Sequence, residues 1–224
     1  MWSLGYHRTA DDIGGSLTVS FDPLSRTLQV FNAFLQDEIA LVPKRWYFTA
    51  GTKFEHNDYT GFEIMPSIRL AFRPTEQHMA WAAVSRALRA PSRNDTNLIV
   101  NLGSFIDENG VLNTIRFSGD PRFEDEVLTA YELGYRTAVA ERLSIDVTAY
   151  FNDYDKLQSI EAGIPFPEAT PLPLHIVLPI GYANGMSGET HGLEVALDWQ
   201  VTNRWILDSA ACNPDRSRAA STPR

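Results

Sequence analysis

The chain has 224 residues and a net charge of -9. That acidic balance excludes the basic stripe of a nucleic-acid binder, and 44% hydrophobic with 21% charged residues excludes a disordered chain. One cysteine, Cys212, rules out an internal disulfide framework and any zinc site built from several cysteines.

In chain order, the opening "MWSLGYHRTADD" has no basic stretch followed by an apolar one, so it reads as carrying no secretory signal. Segment 31–41 alternates between apolar and polar residues, with Asp37 intruding on the apolar parity. In 46–56, Trp46, Phe48, Ala50, Thr52 and Phe54 alternate with Tyr47, Thr49, Gly51, Lys53 and Glu55. In 64–73, Ile64, Pro66, Ile68, Leu70 and Phe72 alternate with Met65, Ser67, Arg69, Ala71 and Arg73. Segment 78–88 reads as a strand whose alanines leave its facing open. Segment 129–139 sets Tyr131, Leu133, Tyr135 and Val139 against Glu132, Gly134 and Arg136. "LSIDVTAYFNDYDKLQS" (143–159) puts Leu143, Ile145, Val147, Ala149 and Phe151 on one parity, with Asp146, Tyr150 and Asn152 on the other. Segment 193–201 sets Leu193, Val195, Leu197, Trp199 and Val201 against Glu194, Asp198 and Gln200. Each is a period-2 strand pattern. The runs are about ten residues, near the roughly 9–11 that cross a bilayer at a tilt and above the roughly 5–6 of soluble strands. The longest uncharged run, 169–188, is broken by Pro171, Pro173 and Pro179 and reads as a loop rather than a membrane helix.

Such a strand meets one of two solvents. In a soluble sandwich the apolar parity faces a core; in a membrane barrel it faces lipid and the polar parity a wet lumen. Connection lengths favour the barrel. "VPKR", "RPTEQ", "AVAER" and "QVTNR" are short, whereas 57–62, 89–126 and 156–188 are read as long, and the two kinds alternate. One end of an up-and-down meander then carries tight turns and the other long loops. Trp46, Trp81, Trp199 and Trp205 all fall near the short-turn end, as an interfacial aromatic girdle requires.

Several motifs then become familiar. "SRALRAPSRND", "TAYELGYRTAVAERLSIDVTAYFNDYDKLQS", "GETHGLEVALDWQVTNRW" and "FLQDEIALVPKRWYFTAGTKFEHNDYTGFEIMPSIRLAFRP" resemble TonB-dependent outer-membrane receptors, across roughly residues 17–211. The resemblance implies an all-β fold: an antiparallel up-and-down transmembrane β-barrel, here a partial one of about eight or nine strands against about 22 in the family. It implies 1–16 as part of an extracellular loop, 17–211 as the barrel portion and 212–224 as an irregular tail. It implies an outer-membrane location, surrounding lipid and uptake of a scarce ligand such as an iron–siderophore complex or cobalamin. In the intact family the TonB complex energises uptake; this sequence reads as having neither plug nor TonB box. The alternatives are a small self-contained porin or adhesin barrel and a soluble β-sandwich carbohydrate-active protein.

With the apolar parity toward lipid, the lumen side carries Lys53, Glu55, Arg69, Arg73, Glu132, Arg136, Asp146, Tyr150, Asn152, Glu194 and Asp198. The candidate ligand contacts lie at the mouths of the long loops: Arg89, Arg93, Asn94, Asp95, Tyr154 and Asp155. Arginine there suits an anionic chelate through paired hydrogen bonds. "FEDE" (123–126) offers carboxylates to calcium but lacks EF-hand spacing, and His56 with Asp58 lacks a third ligand, so no metal site is expected. No cofactor and no catalytic group is expected: nucleophile elbow, phosphate loop and dinucleotide fingerprint are all missing.

Overall fold

The computed structural model describes residues 1–170, 172–215 and 219–221. Nine long strands form one antiparallel wall in the order β1 (Trp2–Asp12), β3 (Ser25–Val42), β4 (Trp46–Asn57), β5 (Gly61–Thr75), β6 (His78–Arg89), β9 (Glu126–Ala140), β10 (Leu143–Ala162), β12 (His175–Thr202) and β13 (Trp205–Asp215). Shorter pieces join it: β2 (Val19–Phe21), the hairpin β7 (Leu98–Ile106) and β8 (Leu112–Ser118), β11 (Phe166–Glu168), β14 (Ala219–Ser221) and the single-turn helix α1 (Arg93–Asn97). The wall is the expected up-and-down meander. One pairing departs from it: β8 runs parallel to the first half of β12, from Asn113 against Ile176 to Ser118 against Gly181.

Register lines up the parities across strands. One row reads Val147, Tyr135, Ala80, Phe72, Trp46, and the next Ala149, Leu133, Ala82, Leu70, Phe48. On the opposite face a row reads Tyr150, Glu132, Ala83, Arg69, Thr49, Glu38. The polar face is concave: a cavity of about 610 Å³ is lined from β3, β4, β5, β6, β9 and β10. The apolar face is convex and uncovered, with Leu133 63% exposed and Val139 58%. A soluble sandwich would bury this face against a second sheet, and no second sheet lies on it among the described residues. The outward residues Leu143 to Phe151 cover roughly 26 Å of strand, comparable with the apolar band of about 25 Å on outer-membrane barrels. Past that band the same parity turns polar, at Asp153 and Asp155 on β10 and at His191 and Glu189 on β12.

All four short connections lie at one end, at 43–45, 76–77, 141–142 and 203–204. The opposite end differs from expectation in three places. The 57–62 connection is a tight turn at 58–60: Asn57 accepts from the amides of Tyr59 and Thr60, and Gly61 takes φ +82°. The 89–126 segment is folded, holding α1, β7 and β8. Most of 156–188 is strand, because β10 runs on to Ala162 and β12 starts at His175. Proline and glycine disguised it. Gly181 is needed because a Cβ there would sit 2.9 Å from the Ser118 carbonyl oxygen of β8, and Pro179 sits where its carbonyl accepts from the Gly163 amide.

At the chain's ends, segment 1–16 is not loop throughout: β1 pairs with β3 from Trp2–Leu35 to Asp12–Ser25. The tail is strand as far as Asp215 and again at Ala219–Ser221; 216–218 and 222–224 lie outside the described residues. The tryptophans divide. Trp46 stacks on Phe72 at 4.4 Å on the convex face, and Trp199 belongs to the same parity. Trp81 points the other way, with its ring under the Arg69 guanidinium at 4.7 Å. It does so because position 134 opposite is glycine: a Cβ there would lie 2.2 Å from the indole. Trp81 therefore belongs to no outward girdle.

Candidate functional site

Two regions carry the polar chemistry. The first is the concave face of the wall. Arg136 and Asp146, direct cross-strand partners, form an ion pair with contacts of 2.5 and 2.7 Å. Lys53 pairs with Glu55 at 2.6 Å, two residues along the same strand. Glu132 lies opposite Tyr150, and Asn152 donates to Thr190 at 3.2 Å. Glu194 lies opposite Thr148, with the Cys212 thiol 3.6 Å from its carboxylate; Asp198 lies opposite Ser144. Arg73 sits beside Tyr47 and Glu76 in a smaller cavity at the short-turn end. Cross-strand pairs of opposite charge are what a curled sheet needs to hold its register across a polar face.

The second region is the cap at the long-loop end. Arg89, the last residue of β6, makes a two-point contact with Glu126 at 2.7 and 2.9 Å and reaches Asp95 at 3.2 Å. Its hydrogen bonds hold the Glu126 carboxyl below the usual range. Asp95 closes a capping box on α1 with Ser92 and accepts from Gln158 of β10 at 3.0 Å. Arg93 turns away from this group. It pairs with Asp11 at 3.3 Å, donates to the Pro23 carbonyl at 2.8 Å and lies over Phe21. Asn94 is exposed. Tyr154 and Asp155 sit on opposite faces of β10, and Asp155 accepts from the Lys156 amide at 2.9 Å. Of the expected loop-mouth residues, the structure brings only Arg89 and Asp95 together. Both are engaged in binding α1 to β9 and β10.

Three groups were missed in the sequence. Arg116 of β8 makes a two-point contact with Glu168 of β11, and the buried His175 lies 3.2 Å from the same carboxylate. That pairing holds Glu168 below its usual range. The "FEDE" run does not converge on a cation. Phe123 is buried, Glu124 pairs with Lys156, and Glu126 with Arg89. Asp125 is 5% exposed and accepts from the Thr60 hydroxyl at 3.0 Å; burial pushes its carboxyl up to about 6. Among the described residues no three His, Cys, Asp or Glu side chains gather as a metal site. His56 lies by Phe31 and Phe62 on the convex face, while Asp58 accepts from the Gln29 amide. None of these partners stands at a local sequence spacing, so no motif could have signalled them.

The family described as "TonB dependent receptor-like, beta-barrel" matches residues 2–218. The chain belongs to that receptor family. A curated relative, the ferric enterobactin receptor of Pseudomonas aeruginosa, is 26% identical over 168 residues, which are 74% of this chain and 20% of the relative. Among solved structures, a ferric enterobactin receptor in complex with BCV-L6 superposes with a TM-score of 0.71 at 20% identity, over 96% of this chain and 32% of that one. The siderophore receptor PirA from Acinetobacter baumannii gives 0.66 at 14% identity, over 80% and 26%. The receptor barrel described here thus spans about a fifth of its curated relative and a third or less of these solved chains. These relatives are receptors rather than enzymes by name.

Proposed function

We propose that this receptor barrel forms part of the wall and outer cap of an outer-membrane transporter that takes up an iron–siderophore complex. One observation carries the reading: nine strands present an unburied apolar band outward while their charged residues line the hollow side. Lipid outside and water inside satisfy both faces, as the family requires. On this reading the eleven charged and polar wall residues from Lys53 to Asp198 face the lumen. The cap, rather than isolated arginines at loop mouths, is the surface that meets the ligand. The ferric enterobactin receptors among the relatives make a ferric catecholate the first ligand to try, ahead of cobalamin. The TonB complex is the energy-coupling partner that family membership supplies.

The test uses tryptophan fluorescence of the full chain in bilayers, with single tryptophans retained. Lipids brominated in the acyl chain should quench Trp46 and Trp199 and spare Trp81. Equal quenching of all three would sink the orientation. Adding ferric enterobactin should then change emission in the micromolar range or below, where cobalamin does not; a response to cobalamin alone would reassign the ligand.

A further inference from the structure

We infer that the 119–125 connection between β8 and β9 is a proton-operated latch at the outer rim, closed when Asp125 holds a proton toward Glu63 and released when that proton is lost.

Gly119 and Asp120 tie the start of the connection to the Leu98 and Asp95 carbonyls, and Phe123, Glu124 and Asp125 hold its far end. Glu124 exchanges hydrogen bonds with Asn184 of β12, donating its amide at 2.8 Å and accepting at its carbonyl at 3.1 Å. Phe123 is 3% exposed, with Tyr182 of β12 edge-on at 6.4 Å. Asp125 reaches across to the β4–β5 turn, where Oδ1 accepts from Thr60. Its other oxygen, Oδ2, is buried and has no hydrogen-bond donor. A buried carboxylate with one oxygen unpaired is costly, so the group needs a donor, a cation or a proton.

The surroundings select the proton. From β5, Glu63 lies beside Asp125 within side-chain hydrogen-bond reach. From β4, Glu55 is the direct cross-strand partner of Glu63 and adds a second negative charge, with Lys53 engaged on Glu55. From β6, Arg86 donates to the Ile64 carbonyl and lies 3.5 Å from Glu63. From β10, Lys156 is taken by Glu124, and within the connection Arg122 is taken by Asp120. In the turn itself, Tyr59 lines the same cavity of about 280 Å³ and Asp58 accepts from the Gln29 amide of β3. None of these cations pairs with Asp125 among the described residues. A proton on Oδ2, donated toward Glu63, satisfies the orphan oxygen and removes one of three clustered charges.

The sign follows from burial. The closed latch holds the Asp125 carboxyl at about 6, above its ordinary range. Closure is therefore favoured below the ordinary carboxylate value and loses that support as pH rises through about 6. With an opened state of ordinary acidity, the opening equilibrium should grow about ten-fold between pH 5 and pH 7.5. The latch concerns the rim alone and does not depend on which ligand the barrel carries.

The experiment is hydrogen exchange of the Phe123 and Glu124 amides in the full chain in bilayers, corrected for intrinsic rates, at pH 5 and 7.5. Wild type should lose protection by about ten-fold at the higher pH. Asp125→Asn, whose amide donates to Glu63 and accepts from Thr60 without titrating, should stay protected at both. Glu63→Gln should shift the wild-type transition to lower pH, because it removes the nearest negative charge that favours a proton on Asp125; it also serves if Asp125→Asn fails to fold. Protection in wild type that does not change with pH, or the same change in Asp125→Asn, overturns the latch.

Discussion

In the wall, Leu133, Val139 and Phe151 lie open on the convex face. In the cap, Val177 is fully buried, Phe123 nearly so, and Asp95, Thr96, Asn97, Asn113, Thr114 and His175 are buried with them. Apart from Gly134, which lies under the Trp81 ring in the wall, the residues buried in the described structure lie in the cap or on the rim that supports it. The wall holds its shape by ladder hydrogen bonds and cross-strand pairs and, on the proposed reading, leaves its apolar side for lipid to cover. The cap builds a small core and many long-range polar contacts of its own. One sheet thus obeys two burial rules, and the boundary falls where the outward parity turns from Phe151 to Asp153.

The sharpest way to break this comparison is to put the same charge on each face. Leu133→Arg should destabilise the bilayer-inserted barrel by about 2–4 kcal/mol, the cost of arginine near the membrane midplane. Thr148→Arg, on the hollow face near Glu194, should cost far less. Urea unfolding in lipid reads both; equal losses would mean the faces do not differ in solvent. Next in size is the seat of Trp81. Gly134→Ala should cost about 1–3 kcal/mol by overpacking, because its Cβ meets the indole. Trp81→Leu in the same chain should recover most of that loss, and a purely additive double variant would show that the glycine serves another purpose. Smallest is Asp95→Ala, which removes the capping box and should weaken the cap by about 1–2 kcal/mol. It should speed proteolysis within 90–125 while leaving wall stability unchanged; a matching loss in the wall would show the two regions are one cooperative unit.

The sequence made the wall legible and the cap opaque. Alternation in 143–151 or 193–201 is local, so parity, strand identity and the four short turns could be read directly. Its facing followed from connection lengths. Trp81 went astray because its parity is ambiguous among alanines and the deciding residue, Gly134, belongs to another strand. The cap rests on partners far apart in sequence: Arg89 with Glu126, Arg116 with Glu168, Thr60 with Asp125. Charges there read as loop solvation, and the proline and glycine of β12 read as breakers. Arg93 and Asp95 looked like ligand contacts because exposed-loop chemistry and buried-anchor chemistry use the same residue types.

The parallel ladder between β8 and β12 also sets an order of events. Asn113 meets Ile176 only after β9 and β10 have been laid down between them. The wall hairpins close through short turns and can form early, while this ladder must wait for a long loop to close. The cap is therefore assembled last, on strands that have already found their places.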